Sequence, residues 1–189
     1  MITLVLGGTR SGKSELAERL AERASGDVTY IATADLDADD ADQAARVARH
    51  RQRRPRRWST IECAAAAELP AALTATGGVV LVDSLGAWVA CHRGFDLDPT
   101  SLLAALGART APTIVVSEEV GLSIHPASEL GRRFVDVLGE LNRQVADIAD
   151  RVLLVVAGRA VELPLLGSAQ PGLPPDDGLG GGPSDGVVR

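Results

Sequence analysis

The sequence predicts an α/β fold, a mostly parallel sheet with flanking helices, and three observations carry that prediction. The apolar run Ile2-Thr3-Leu4-Val5-Leu6 passes through a glycine-rich stretch, Gly7-Gly8-Thr9-Arg10-Ser11-Gly12-Lys13-Ser14, into sequence of helical period. A second strand-like run, Val28-Thr29-Tyr30-Ile31-Ala32-Thr33, follows that helix, and strand, helix, strand implies parallel pairing. Two later apolar runs, Val79-Val80-Leu81-Val82 and Thr113-Ile114-Val115-Val116-Ser117, are near-continuous, as strands buried on both faces are, and each is followed by an acid.

With 189 residues the chain fits one ordinary domain, long enough to bury a core without a disulfide or structural metal. The expected domain covers residues 1–163; from Pro164 the composition turns to Gly, Pro, Asp and Ser, and residues 164–189 read as a disordered tail. The 25 acidic and 19 basic residues give a net charge of −6, which offers no general attraction to nucleic acid or to an anionic membrane. Neither a secretory leader nor a membrane-length apolar segment is visible, so a cytoplasmic protein is expected. Cys63 and Cys91 have neither Cys-x-x-C spacing nor histidines at ligand distance, and read as reduced thiols.

In chain order, Leu16, Ala17, Leu20, Ala21 and Ala24 recur at helical spacing, and Gly26 stands at the expected cap. Asp35, Asp37, Asp39, Asp40 and Asp42 then lead into Arg46, Arg49, His50, Arg51, Arg53 and Arg54 before Pro55. Acid at the front and base at the back suits a helix macrodipole, but not the density of arginine, which is a good receptor for phosphate oxygens. Leu69, Ala72 and Leu73 mark a helix between residues 59 and 76, and Gly77-Gly78 punctuates the chain before the Asp83 strand. Leu85, Trp88 and Val89 suggest a short helix, and residues 91–94 a solvated loop; His92 and His125 read as loop histidines. A helix at residues 100–106 precedes the strand that ends at Glu118-Glu119. A long amphipathic helix at residues 128–149 carries Leu130, Phe134, Val137, Leu138, Leu141, Val145 and Ile148 on its apolar side. Arg151-Val152-Leu153-Leu154-Val155-Val156 is the last long strand, which Gly158-Arg159 can turn into a short return strand, Ala160-Val161-Glu162-Leu163.

The glycine-rich stretch matches G-x-x-x-x-G-K-[ST] between a strand and a helix, the context in which loop amides and a helix N-terminus seat phosphates. Lys13 would reach the terminal phosphates and the Ser14 hydroxyl would hold Mg²⁺. Asp83, at a strand end, either brings a carboxylate to that Mg²⁺ or caps the next helix; pairing with the phosphate loop favours the metal. On residue chemistry alone, a solvated histidine on a basic helix face is the stronger reading of His50.

Taken together, these stretches resemble the bifunctional adenosylcobinamide kinase/adenosylcobinamide-phosphate guanylyltransferase family. The resemblance rests on Gly7 to Ser14, Tyr30-Ile31-Ala32-Thr33-Ala34, Ala45-Arg46-Val47-Ala48-Arg49-His50-Arg51, Arg53-Arg54-Pro55-Arg56-Arg57-Trp58, Val82-Asp83-Ser84-Leu85, Glu119-Val120-Gly121-Leu122, and Arg132-Arg133-Phe134-Val135-Asp136 with Asn142. It implies a P-loop NTPase-like fold with an antiparallel element near the C-terminus, a homotrimer, and two reactions. The first is phosphorylation of adenosylcobinamide by ATP or GTP; the second transfers GMP from GTP through a histidine to give adenosylcobinamide-GDP. His50 matches the guanylylated histidine, with Lys13 as the other catalytic residue. The nucleotide would be held by Gly7, Gly8, Thr9, Arg10, Ser11, Gly12, Lys13 and Ser14, by Ala32, Thr33 and Ala34, by Arg51, Gln52, Arg53 and Arg54, and by the acids Glu62 and Asp83, with Ser14 and Asp83 on the metal. Two positions depart from the family pattern: Glu118 stands where Asn is expected before Glu-Val-Gly, and Arg143 where Gln usually follows the Asn. Two other readings compete: a small-molecule kinase without a covalent intermediate, and a nucleotide-responsive binding module.

Overall fold

The computed structural model describes residues 1–33, 55–63, 65, 67–122 and 126–165. The Asp- and Arg-rich stretch at residues 34–54, with His50, lies outside the described residues, as do His125 and the tail from residue 166.

The elements run β1 (Ile2–Gly7), α1 (Lys13–Arg23), β2 (Val28–Ala32), β3 (Ser59–Glu62), α2 (Glu68–Ala75), β4 (Val79–Asp83), α3 (Leu85–Ala90), a 3₁₀ turn (Arg93–Phe95), α4 (Thr100–Gly107), β5 (Thr113–Glu118), α5 (Glu129–Ile148), β6 (Arg151–Val156) and β7 (Arg159–Glu162). The strands form one 7-stranded sheet in the order β3-β2-β4-β5-β1-β6-β7. Pairing is parallel throughout except for β6 and β7, which are antiparallel, with Val156 opposite Arg159 across a tight turn. The return strand and the mostly parallel sheet agree with the expectation from sequence.

Alternation along the strands sends side chains to two layers. Leu4, Ile31, Val80, Val82 and Val115 pack with Leu69 and Leu73 of α2, Trp88 of α3, Leu102 and Leu106 of α4 and Leu138 and Leu141 of α5. Val5, Tyr30, Val79, Leu81, Ile114 and Val116 face the other way, against Ala17 and Ala21 of α1. Those two alanines are fully buried, and their small side chains let α1 lie close to the sheet, which fixes the start of α1 beneath the loop.

At the opposite end of the strands, Arg109 holds the layers together. Its guanidinium donates to the carbonyls of Leu73 (2.8 Å), Thr76 (2.6 Å) and Gly78 (2.7 Å) and to Thr113 Oγ1 (2.8 Å), tying the end of α2 to the starts of β4 and β5. Burial lowers the pKa of Arg109, although the group stays charged.

Three local expectations change. Ser59–Glu62, for which no strand was expected, pairs with β2 as the sheet's edge strand; its side chains are largely exposed, so little apolar pattern marks it. Leu130 and Ile148, placed on the apolar side of α5, are exposed because they lie at the helix ends, past the layer that Leu138, Leu141 and Val145 bury. Residues 91–94 are not a simple solvated loop: Cys91 closes α3, and the His92 ring packs edge-on against Trp88 at 4.6 Å, its Nδ1 3.0 Å from the Trp88 carbonyl.

Candidate functional site

Parallel register brings the ends of six strands, β1 to β6, to one rim. Gly7 of β1 lies opposite Glu118 of β5, and Ala32 of β2 opposite both Asp83 of β4 and Glu62 of β3. The loop after β1 turns back over this rim. Its shape needs glycine: Gly12 has φ +97°, and a Cβ on Gly7 would lie 2.5 Å from Ser11 Oγ and 2.7 Å from the Val155 carbonyl. Arg10 also takes a left-handed conformation, with φ +61°, and its side chain is exposed, as are Gly8 and Thr9. Ser11 is buried; its hydroxyl accepts from the Lys13 amide at 3.3 Å, while its carbonyl accepts from the Gly158 amide at 2.8 Å. The turn between β6 and β7 therefore braces the loop from outside, a contact that no sequence motif marked.

Lys13 is buried at 9% exposure, its ammonium beneath the loop, where Nζ donates to the Gly8 carbonyl (3.4 Å) and pairs with Glu118 Oε1 (3.5 Å). The Ser14 hydroxyl donates to Asp83 Oδ1 (3.4 Å), and the other oxygen of that carboxylate accepts from the Tyr30 hydroxyl (2.7 Å). Ser14 and Asp83 thus present two hard oxygen donors to one space beside the loop, a set suited to Mg²⁺ completed by water and phosphate oxygens. Among the described residues no cluster of three or more His, Cys, Asp or Glu side chains could hold a metal by itself.

Thr33 is fully buried, and its hydroxyl is engaged twice, donating to the Ser84 carbonyl (2.6 Å) and accepting from the Ser84 amide (2.9 Å). It locks the end of β2 to the end of β4. Ala32 ends β2 beside Asp83. Glu62 shares the rim but stands four strand positions from β1, about 19 Å at ~4.8 Å per step, so it is not brought against the phosphate loop. Ala34, His50, Arg51, Gln52, Arg53 and Arg54 lie outside the described residues.

Sequence reasoning assigned no role to Ser84, Gly86 or Asn142. Ser84 caps α3 by accepting from the Ala87 amide (3.3 Å) and donates to both oxygens of Glu118 (3.1 and 3.0 Å), while the Gly86 amide donates to Glu118 Oε2 (3.1 Å). The Asn142 amide donates to the Glu118 carbonyl (2.9 Å), fastening the end of β5 to α5. The signal for Ser84 was present: a serine directly after a strand and before a helix is a favoured cap.

A strand, glycine-rich loop and helix in this order, with a lysine under the loop and an acid on a nearby strand end, place the chain among the P-loop nucleotide-binding proteins. Residues 3–163 match the family model described as cobinamide kinase / cobinamide phosphate guanyltransferase, and the chain belongs to that family. It is 43% identical over 175 residues to the bifunctional adenosylcobalamin biosynthesis protein CobP of Pseudomonas aeruginosa, covering 88% of this chain and 98% of that protein. It is 38% identical over 183 residues to the bifunctional adenosylcobalamin biosynthesis protein CobU of Escherichia coli, covering 86% of this chain and 99% of that one. Identity to the Salmonella typhimurium protein of the same name is 34% over 183 residues, with the same coverage of 86% and 99%. Among solved structures, the flagellar accessory protein FlaH of Methanocaldococcus jannaschii aligns at a TM-score of 0.47 and 15% identity over 84% of this chain and 74% of that one, too loose a likeness to carry an argument.

Proposed function

We propose that this chain phosphorylates adenosylcobinamide with ATP or GTP and then transfers GMP from GTP to the new phosphate, giving adenosylcobinamide-GDP for cobalamin biosynthesis. The observation that carries the proposal is family membership across residues 3–163, joined to a rim where Ser14 meets Asp83 and Lys13 meets Glu118.

In the phosphoryl step the loop amides and Lys13 hold the terminal phosphates, and the acceptor hydroxyl attacks the γ-phosphorus as the nucleoside diphosphate leaves. Ser14 and Asp83 would hold Mg²⁺, which when bound neutralises charge on the phosphate oxygens. In the second step a neutral His50 nitrogen forms a bond to the α-phosphorus while the bond to the β-phosphate oxygen breaks and pyrophosphate departs. A phosphate oxygen of the corrinoid then attacks the same phosphorus and the N–P bond breaks, so one difficult displacement becomes two easier ones. Arg51, Arg53 and Arg54 would stabilise charge on the phosphate oxygens and disfavour the imidazolium, which cannot attack. Gln52, between Arg51 and Arg53 in the chain, would contact the nucleotide with them. Ala32, Thr33 and Ala34 would border the nucleotide, and Glu62 or Asp83 would accept from the guanine ring N–H and exocyclic amine.

GTP labelled at the α-phosphate tests the covalent step. The expected result is a protein-bound label that acid removes and alkali spares, and that His50→Ala abolishes; an unlabelled wild type, or an adduct undiminished in the variant, would leave a kinase without a guanylyl-histidine. The assembly proposed is a homotrimer, acting in the cytoplasm and on no nucleic acid; light scattering on the eluting protein checks the trimer. No described helix is long and apolar enough to cross a membrane.

A further inference from the structure

Glu118 stands at the end of β5, directly beside the last residue of β1, and its side chain reaches under the phosphate loop. The carboxylate is held there by neutral donors as well as by charge: the Ser84 hydroxyl reaches both oxygens at 3.1 and 3.0 Å, the Gly86 amide reaches Oε2 at 3.1 Å, and Lys13 Nζ stands 3.5 Å from Oε1. The seat is fitted to it. A Cβ at position 86 would lie 2.1 Å from Oε2, so only glycine leaves room for the carboxylate. Ser84 is buried, and the side chains of Lys13 and Glu118 are 11% and 30% exposed, so the pair is sheltered from the screening that weakens surface ion pairs.

An arriving triphosphate needs the charge of Lys13, and Glu118 already engages it. Because Ser84 and Gly86 hold the carboxylate independently of Lys13, the incoming phosphates would find a fixed negative charge beside their only buried described cation. Like charges this close repel strongly at the effective dielectric of a protein rim. A divalent cation between Ser14 and Asp83 would remove that penalty by offsetting phosphate charge. We propose that Glu118 is a built-in counter-anion for Lys13 that makes the loop take nucleoside triphosphate together with a divalent cation and reject the metal-free nucleotide. Glu118 is on this view a specificity-determining residue acting through Lys13. The proposal rests on the reading of the loop as a triphosphate seat.

The test is equilibrium binding of GTP to the full chain in Mg²⁺ and in excess EDTA, for wild type, Glu118→Gln and Glu118→Asn, each checked for a cooperative melt. Wild type should bind metal-free GTP at least about tenfold more weakly than the Mg²⁺ complex. Both variants should tighten metal-free binding by about tenfold or more and Mg²⁺-dependent binding by less, so that the ratio of the two affinities shrinks. A wild type indifferent to Mg²⁺, or a ratio unchanged in a folded variant, would overturn the counter-anion. Failure of the loop reading looks different: wild type would bind GTP in neither condition, or Lys13→Met would bind as well as wild type, and the counter-anion would fall with it.

Discussion

The Ser14 hydroxyl donates to Asp83 Oδ1 across 3.4 Å although 69 positions separate the two residues in the chain. Neither β1 nor β4 touches the other; β5 lies between them, and the turn of the loop over the rim closes the gap. Asp83→Asn keeps the shape of the side chain but weakens its attraction for a cation. Mg²⁺-dependent GTP affinity and phosphoryl transfer should fall about 10–100-fold, while binding in EDTA holds or improves. Titration calorimetry in the two conditions measures the difference, and EDTA should abolish turnover of the wild type.

Tyr30 fixes the other oxygen of that carboxylate at 2.7 Å and is itself buried. Removing its hydroxyl in Tyr30→Phe leaves the ring packed but takes a hydrogen bond from a charged acceptor. The expected loss is about 1.5–3 kcal/mol of stability by urea denaturation, with a weaker apparent Mg²⁺ affinity.

Gly7→Ala should separate binding from folding. The added Cβ meets Ser11 Oγ at 2.5 Å and the carbonyl of Val155 in β6 at 2.7 Å, so the start of the loop must move away from both. GTP affinity should drop by at least about tenfold, whereas overpacking at the buried end of β1 should cost about 1–3 kcal/mol and leave the protein folded.

Arg109 acts far from the chemistry. Arg109→Leu leaves the carbonyls of Leu73, Thr76 and Gly78 without their shared donor, and should cost about 2–4 kcal/mol of stability. Arg109→Lys should recover only part of it, because an ammonium cannot reproduce the planar fork. Nucleotide affinity of the folded variants should be close to wild type.

Cys63 gives a pH signature. Burial first, and the nearby Glu68 second, push its thiol above the ordinary value of 9.0. In the unfolded chain the thiol ionises at its ordinary pKa, while the folded protein keeps the proton, so stability is full below that value and declines as pH rises through it. Cys63→Ser should flatten this decline in melting temperatures recorded between about pH 8 and 10.

Much of the fold was legible because burial on both faces of a parallel sheet writes nearly continuous apolar runs, as in Val79-Val80-Leu81-Val82 and the five residues before Glu118. The edge strand Ser59–Glu62 escaped because an edge position asks little of its side chains, and only Ile61 is apolar among its four residues. The ends of α5 differ for a related reason: periodicity identifies a face, but not where the covering layer stops, so Leu130 and Ile148 carry the apolar spacing without the burial. Among the site residues, Lys13 and Ser14 were evident from loop spacing. The engagement of Glu118 by Ser84 and Gly86 was not, because two residues of a cap and an acid more than thirty positions away share no sequence pattern.

By itself the sequence determined every strand but the edge strand β3, the phosphate loop with its lysine, and the acids at strand ends, since each depends on contacts within a few residues or on a burial pattern along one strand. Tertiary structure alone decided the order of strands in the sheet, and with it which acid meets which loop residue. Asp83 reaches Ser14, Glu118 reaches Lys13, and Glu62 stays at the far edge. The reason is geometric: local sequence specifies the direction in which a side chain leaves its strand, whereas its distance from the loop is set by how many strands pack between them.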